Sequence, residues 1–279
     1  MILALINNKG GVAKTTTAVN LAAAIATQKQ RVLLVDLDSQ AGASLCMGVR
    51  RADLQPSVAD LLVRDMPIRE VIRKTSLENL DLITGSNELA GSDVAMGRMD
   101  LKESRLKRVL DPVRSDYAHI IIDCPPSLSL LSVNALLAAD MYLVPVTPQV
   151  LTISGMASLI EEVNALCERN IGEVAELMGF LLTMVDYRNR TTGDLVNAMR
   201  QNWKDFIFKT EIRINVKLAE APAQGKTIFD YAPQSTGAAS YKQFAREFLQ
   251  RVKQYESGEF PNEQPEAEAQ VSETAAANS

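Results

Sequence analysis

The stretch ILALINNKGGVAKTT, from Ile2 to Thr16, determines the fold that this chain is expected to adopt. An apolar run, Ile2–Ile6, is followed by a turn that contains two glycines and two lysines, and then by threonines that begin a helix-like segment. Backbone N–H groups of such a turn and of a helix N-terminus converge on phosphate oxygens. The stretch therefore predicts a strand, a phosphate-binding loop and a helix, in that order.

Two side chains of this loop have a chemistry that suits phosphate. Lys14 can place a point charge on the β and γ phosphates of a nucleotide, and the Thr15 hydroxyl can ligate magnesium. The common pattern G-x-x-x-x-G-K-[ST] does not fit, because it requires glycine at Asn8 and Ala13. The residues fit K-G-G-x-x-K-T-T instead, with Lys9 ahead of the glycines. If φ is positive at position 13, an alanine there costs about 1 kcal/mol.

Short apolar runs alternate with longer helix-like segments along the chain. The runs that predict strands are Ile2–Ile6, Val32–Val35, Leu80–Ile83, Ile120–Ile122, Tyr142–Val146 and Met178–Leu182. The segments that predict helices include Thr15–Ala26, Lys102–Val113, Ser127–Ala138, Ser154–Arg169 and Thr192–Trp203. Most runs are apolar at successive positions, which is typical of parallel strands buried on both faces. We therefore expect an α/β fold with a doubly wound, mostly parallel sheet and helices on both faces.

Three aspartates follow apolar runs at the points where predicted strands end. Asp36 and Asp38 end the run VLLVDLD, and Asp123 ends the run IIID. Side chains two residues apart on a strand point to the same side, and nucleotides bind at the carboxyl ends of parallel strands. A helix N-cap is the alternative for any one of these residues. Together with the phosphate loop, they predict carboxylates that hold magnesium and position a water molecule.

Charge divides the 279-residue chain into two parts. From Glu256 onward there are six acidic residues and no Lys or Arg, which leaves 28 acids and 29 bases in residues 1–255. The hydrophobic fraction of 47% can form a core in that first part, and its near-neutral charge is compatible with a local basic face. We expect a nucleotide-binding domain over residues 1–255 and an acidic, disordered tail over residues 256–279.

Several classes of protein are disfavoured by composition. The three cysteines are widely spaced and form no CxxC pair, which argues against a disulfide framework or a zinc site and indicates a reducing compartment. His119 is the only histidine, so no histidine-based triad is available. The first motif begins at residue 2 and no apolar run reaches about 18 residues. We therefore expect a cytoplasmic protein without a signal peptide or a membrane span.

The phosphate loop and four further segments resemble the ParA/Soj-type partition ATPases of the ParA/MinD superfamily, whose loop is a deviant Walker A motif. The other segments are Tyr117–Leu136, Leu181–Arg190, Ile214–Lys226 and Ser235–Phe248, so the resemblance extends to about residue 253. It implies a switch in which ATP produces a homodimer that binds double-stranded DNA without sequence preference. A ParB-like partner would stimulate weak intrinsic ATP hydrolysis and release the dimer. This cycle would partition chromosomes or plasmids, with the ATP-bound form on the nucleoid.

The resemblance also implies roles for individual residues. Lys9 would reach the phosphates of the partner subunit, Lys14 would contact the phosphates of its own subunit, and Asp38 would orient the attacking water. Asp36 and Asp123, with Thr15, would hold magnesium. The implied nucleotide-binding residues are Lys9, Gly10, Gly11, Val12, Ala13, Lys14, Thr15, Thr16 and, around the adenine, Met184, Asn215 and Pro222.

Non-specific DNA binding requires Lys and Arg side chains on one face, because phosphate neutralisation dominates the affinity. The C-terminal third of the chain is rich in both, and the resemblance favours DNA over a merely solvated surface. The candidate contacts are Lys204, Arg213, Lys217, Lys226 and Lys242.

Two alternatives share the deviant loop. A MinD-like positioner would act on a membrane or a protein scaffold, and its membrane anchor is a C-terminal basic amphipathic helix. The last predicted helix, Tyr241–Tyr255, has instead an apolar stripe typical of core packing, and the acidic residues after it would be repelled by anionic lipid. We therefore expect no membrane partner. A nitrogenase-reductase-like carrier would need paired cysteines for an iron–sulfur cluster, which this spacing does not favour.

Overall fold

A computed structural model describes residues 1–168 and 173–261 of the chain, without the side chains of Asp93, Cys167 and Glu168. Within these residues, eight strands form one sheet in the order β3-β4-β2-β5-β1-β6-β7-β8. Their bounds are β1 Ile2–Leu5, β2 Val32–Asp36, β3 Arg73–Lys74, β4 Leu80–Ile83, β5 His119–Asp123, β6 Met141–Val146, β7 Glu176–Val185 and β8 Ile207–Arg213. Neighbouring strands are parallel, except that β3 is antiparallel to β4.

Twelve α-helices are found in the described part of the chain. They are α1 Lys14–Ala26, α2 Gly42–Cys46, α3 Val58–Arg64, α4 Ile68–Val71, α5 Ser92–Met96, α6 Arg105–Leu110, α7 Leu130–Ala138, α8 Thr152–Glu168, α9 Thr191–Trp203, α10 Val216–Glu220, α11 Ile228–Tyr231 and α12 Thr236–Glu256. From β1 the strand order runs one way to β2 and β4 and the other way to β6, β7 and β8. Right-handed crossovers in opposite directions put helices on opposite faces, so the expected doubly wound fold is confirmed.

The centre of the sheet positions the phosphate loop. Strand β1 lies between β5 and β6, and all of its residues are buried. The loop leaves its carboxyl end where the strand order reverses, the usual ligand position in open α/β sheets. The register pairs Leu5 with Asp123 and Asp36 with Asp123, so both carboxylates lie level with the start of the loop.

All six predicted strands are present, but sequence analysis did not predict β3 or β8. Strand β8 reads IFKTEIR, with Lys209 and Arg213 exposed, because it is the edge strand of the sheet and only one face meets the core. The predicted helix Lys102–Val113 is wrong in extent: α6 covers only Arg105–Leu110 and is flanked by two 3₁₀ turns. Pro112, which lacks an N–H, lies in the second of these turns.

Helix α12 is a core helix. Phe244, Phe248 and Val252 are buried, which confirms that its apolar stripe faces the interior. Beyond it, Phe260 is buried with its ring centroid 6.2 Å from that of Phe206. Residues 262–279 lie outside the described residues, so the predicted domain boundary and disordered tail stay predictions. No helix in the described ranges has the length and apolar character to cross a membrane.

Candidate nucleotide-binding site

The phosphate loop is held by hydrogen bonds from neighbouring strands. The Asn7 side chain donates to the Pro145 carbonyl (2.8 Å) and accepts from the Lys9 backbone N–H (2.8 Å). The Thr183 hydroxyl donates to the Val12 carbonyl (3.0 Å), across 171 positions of sequence. The loop is therefore preorganised by β6 and β7. Sequence analysis assigned no role to Asn7 or Thr183, and only Asn7, inside the motif, offered a local signal.

The backbone at Ala13 has the positive φ that the sequence analysis considered. Its φ is 59° and its ψ is 30°, in the left-handed region. We expect Ala13→Gly to stabilise the nucleotide-free protein by about 0.5–1 kcal/mol, because glycine adopts this conformation without a Cβ clash. Urea unfolding followed by circular dichroism measures the change. Ala219→Gly, at an exposed position of α10, is the matched control and should destabilise by up to about 1 kcal/mol. Equal destabilisation by both changes would contradict the prediction.

The two lysines of the loop have different environments. Lys14 is 8% exposed, and the only hydrogen bond of its side chain among the described residues is a long one from Nζ to the Asn7 carbonyl (3.5 Å). Its ammonium is thus buried with donors free of protein partners, a costly arrangement that an anion would relieve. Lys9 is exposed, and its Nζ donates to Gln149 Oε1 (2.8 Å) at the surface.

Asp36 and Asp123 form a buried pair of carboxylates at the ends of β2 and β5. Oδ2 of Asp36 accepts hydrogen bonds from the backbone N–H (2.7 Å) and hydroxyl (2.6 Å) of Ser44, and Oδ1 accepts from the Asp38 N–H (3.2 Å). Both oxygens of Asp123 are buried and accept no hydrogen bond of normal distance and angle from the described residues, although the Thr15 hydroxyl lies close to them. The structure therefore fixes Asp36 firmly and leaves the oxygens of Asp123 free for a ligand.

Burial raises the pKa of both carboxyl groups. For Asp123 the negative charge of Asp36 raises the pKa further, while the nearby Thr15 hydroxyl and Lys14 ammonium oppose the rise. For Asp36 the hydrogen bonds from Ser44 oppose the effect of burial on the pKa. Carboxylate and hydroxyl oxygens are hard donors of the kind that magnesium prefers, and a cation would compensate this buried charge. Asp36, Asp123 and Thr15 therefore fit magnesium.

Asp38 lies two residues beyond the end of β2 and is only half-buried, unlike Asp36. Its Oδ1 accepts from the backbone N–H of Gln40 (2.9 Å), which orients the carboxylate. The structure thus brings Asp36, Asp38 and Asp123 to the edge of the sheet that carries the phosphate loop. One of them is reachable from solvent and could act on a water molecule.

Two supporting residues were missed by sequence analysis. A Cβ atom at Gly85 would lie 2.5 Å from the Asp38 carbonyl oxygen and 2.9 Å from Asp36 Oδ1, so only glycine permits this approach. The Gly85 N–H donates to the Ser44 hydroxyl (3.0 Å), which in turn donates to Asp36. Neither residue stands in a recognisable motif, because the contact joins the end of β2, helix α2 and the loop after β4.

The candidate adenine contacts lie at or beyond the carboxyl ends of β7 and β8. Met184 follows Thr183 near the end of β7, has φ 50° and is 41% exposed. Asn215 caps α10 by accepting from the Lys217 N–H (2.9 Å) and donates to the Thr236 hydroxyl (2.7 Å). Pro222 lies in the turn that follows α10. The side chain of Asn215 therefore has a structural task in addition to any contact with a base.

Four of the five candidate DNA-binding residues lie at the carboxyl end of β8 or in segments that follow it. Arg213, Lys217, Lys226 and Lys242 are exposed and follow the carboxyl end of β8 or lie in the first half of α12. Lys204 precedes β8 and is therefore separated from Arg213 by the length of that strand, roughly 20 Å. The structure does not bring Lys204 to the others.

Three further arginines bear on which basic side chains are available to DNA. Arg188 and Arg190 are exposed on the loop between β7 and α9, next to Tyr187, whose ring lies 5.1 Å from the Arg213 guanidinium. Sequence analysis did not select these two arginines as candidate DNA contacts, although the segment DYRNR contains both. Arg251, by contrast, is buried and donates to the Met178 carbonyl (2.8 Å), so it is not available to DNA.

Comparisons with known proteins point to one family. The family model of the AAA domain matches residues 1–174. The sporulation initiation inhibitor protein Soj of Bacillus subtilis is 41% identical over 246 residues, which are 88% of this chain and 97% of that protein. The chromosome partitioning protein ParA of Myxococcus xanthus is 37% identical over 250 residues, 90% of this chain and 88% of that protein.

A solved structure with a similar fold holds an ATP analogue and magnesium. The cobyrinic acid a,c-diamide synthase of Mycobacterium smegmatis, solved with an ATP analogue and magnesium, is 30% identical to this chain with a TM-score of 0.78. The match covers 93% of this chain and 98% of that one. The fold and the phosphate loop described above therefore belong to a type of protein that binds ATP and magnesium.

Proposed function

The chain belongs to the ParA/Soj family of ATPases, and on this premise we propose that it is an ATP-dependent DNA-binding switch that partitions chromosomes or plasmids. It is an ATP hydrolase with ATP and magnesium as its cofactors. The names of its relatives support chromosome partitioning as the process. The observation that carries the proposal is the contrast between the buried Lys14 and the exposed Lys9 of one phosphate loop.

Each residue of the site has a proposed task. The backbone N–H groups from Gly10 to Thr16 and the Lys14 ammonium bind the phosphates. Thr15, Asp36 and Asp123 hold magnesium, which when bound neutralises charge on the β and γ phosphates. Asp38 accepts a hydrogen bond from the attacking water and orients it. Met184, Asn215 and Pro222 border the adenine.

The surface around Lys9 is suited to a second copy of the chain. Val150 and Leu151, next to Gln149, are each 76% exposed, although large apolar side chains are usually buried. Two adjacent large apolar side chains that remain exposed are candidates for burial against a second protein chain. We propose that ATP joins two subunits here, with Lys9 of each subunit on the phosphates of the other.

The dimer gives a rationale for DNA binding that depends on ATP. Two subunits double the number of basic side chains that can neutralise phosphates at once, and affinity rises steeply with that number. The proposed contacts are Arg213, Lys217, Lys226 and Lys242, whereas Lys204 lies at the other end of β8. A ParB-like protein would stimulate hydrolysis and release the dimer from the nucleoid. Because the apolar stripe of α12 is buried, a membrane is not proposed as partner.

We expect Lys9→Ala to keep nucleotide binding but lose ATP-dependent dimerisation, because Lys14 and the loop backbone remain while the contact with the partner is removed. Size-exclusion chromatography with ATP and magnesium measures this result. Lys29→Ala, at an exposed lysine beyond α1, is the control and should dimerise like the unchanged protein. Normal dimerisation of Lys9→Ala would contradict the proposed interface.

A further inference from the structure

A second concave surface lies at the opposite end of the sheet from the phosphate loop. It is a groove of about 600 Å³ between the segment after α1, the start of β5 and the last turns of α12. His119, Leu249 and Val252 are among the residues that line it. Nothing in the proposed ATPase cycle uses this groove, so its chemistry can be considered independently.

Two cations face this groove from α12. Arg246 and Lys253 are exposed, and in the described part of the chain neither forms an ion pair. They are seven residues apart and therefore lie on the same side of the helix, roughly 10 Å from each other along its axis. Glu256 also lines the groove but does not pair with Lys253. The groove thus offers two positive charges that are free of ion pairs, at a defined spacing, and one negative charge from Glu256.

The remaining ionisable side chain of the groove adds no charge. His119 is buried, packs against Phe248 at a ring distance of 5.7 Å, and has Nε2 2.9 Å from Gln30 Oε1. Burial, helped by the nearby N-terminal ammonium, lowers the pKa of His119 to about 4, so the ring is neutral at pH 7. An occupant should therefore carry carboxylates for the two cations and apolar groups for Leu249 and Val252.

The chain itself contains a segment of this chemistry. Residues 262–279 include Glu263, Glu266, Glu268 and Glu273 and no Lys or Arg. Residues three apart in extended backbone are roughly 10 Å apart, which matches the spacing of the two cations. Because the segment follows directly on Pro261, its effective concentration at the groove is on the order of millimolar, higher than that of most free peptides.

We propose that this groove binds the acidic C-terminal segment of the same chain, with Glu263 and Glu266 on Lys253 and Arg246. The contact is intramolecular and electrostatic, and the apolar floor receives Pro265, which stands between the two glutamates. The proposed contact gives α12 a binding partner, and this contact does not depend on nucleotide.

The experiment uses the imidazole signals of His119, which are unique because the protein has no other histidine. They are recorded by ¹⁵N NMR for the full chain and for a full-length variant with Glu263→Gln, Glu266→Gln, Glu268→Gln and Glu273→Gln. The signals are expected to differ between the two proteins at low salt. A synthetic peptide of residues 262–279, added at millimolar concentration to the variant, should restore the signals of the unchanged protein.

A second pair of changes tests the groove side. Arg246→Gln with Lys253→Gln should shift the His119 signals as the variant with four Glu→Gln changes does. A protein with all six changes should show no larger shift than either variant alone. The double variant Arg246→Gln with Lys253→Gln should bind the added peptide roughly three- to tenfold more weakly. The control double variant Arg51→Gln with Lys209→Gln, outside the groove, should bind the peptide as the unchanged protein does. Identical His119 signals in the full chain and the tail variant would overturn the proposal, as would peptide binding that is insensitive to the Arg246 and Lys253 changes.

Discussion

Nucleotide binding is expected to be lost when Lys14 is replaced by alanine. The ammonium is buried against the loop with one long hydrogen bond to the Asn7 carbonyl. Its interaction with phosphate is therefore made in a desolvated site, where removing one partner of a charge pair costs about 2–5 kcal/mol. That loss corresponds to a rise in Kd of roughly 30-fold to several thousandfold. Binding of a fluorescent ATP analogue in the presence of magnesium measures it.

The structure supplies two controls for this result. Lys9→Ala removes a lysine from the same loop and should leave the affinity of the monomer for nucleotide nearly unchanged. Urea unfolding of nucleotide-free Lys14→Ala separates a loss of binding from a loss of fold, because Lys14 also offsets the buried negative charge of Asp123. An affinity for ATP within about threefold of the unchanged protein would contradict the role assigned to Lys14.

Replacing Asp38 with alanine is expected to stop hydrolysis while nucleotide still binds. Asp38 is half-buried, is oriented by the Gln40 N–H and is not one of the fully buried carboxylates. Losing a group that positions or activates the attacking water typically slows a reaction by about 10²–10⁴-fold. Because ATP then persists, the dimer should accumulate. Phosphate release measures the rate, and size-exclusion chromatography measures the dimer.

Asp36→Ala is the informative comparison for that experiment. Asp36 anchors Ser44 and the Asp38 N–H, so its loss should disturb the whole edge and weaken magnesium-dependent binding as well as hydrolysis. Asp38→Ala should affect hydrolysis alone. Rapid hydrolysis by Asp38→Ala, at a rate close to that of the unchanged protein, would refute the proposed role of Asp38.

Much of the sheet could be predicted because its central strands are buried on both faces. Continuous apolar runs of strand length, such as Ile120–Ile122, are typical of such strands, and each of the six predicted runs is a strand. Edge strand β8 was missed because its outer residues meet solvent and interrupt the apolar pattern. The predicted helix Lys102–Val113 is a shorter α-helix between two 3₁₀ turns because of Pro112 and of tertiary packing. The helical periodicity of the sequence does not predict that packing.

The candidate site was predictable where the chemistry is local. The loop lysines and the aspartates at strand ends stand next to apolar runs, and a positive φ at Ala13 was considered because the common pattern has glycine there. The supporting contacts are not local. Thr183 reaches the loop across 171 positions, and Gly85 reaches Ser44 across 41. Such residues become recognisable only when the fold brings them together, and the same is true of the separation of Lys204 from the other basic residues.

The most direct test of the central claim is binding of the purified protein to duplex DNA of arbitrary sequence, measured by fluorescence anisotropy with ATP, ADP or no nucleotide. We predict binding with ATP and magnesium only. With at least four phosphate contacts, affinity should fall roughly 100-fold between about 50 and 200 mM salt. Absence of binding in every nucleotide state, although ATP still produces a dimer, would contradict the claim that this ATPase acts on DNA.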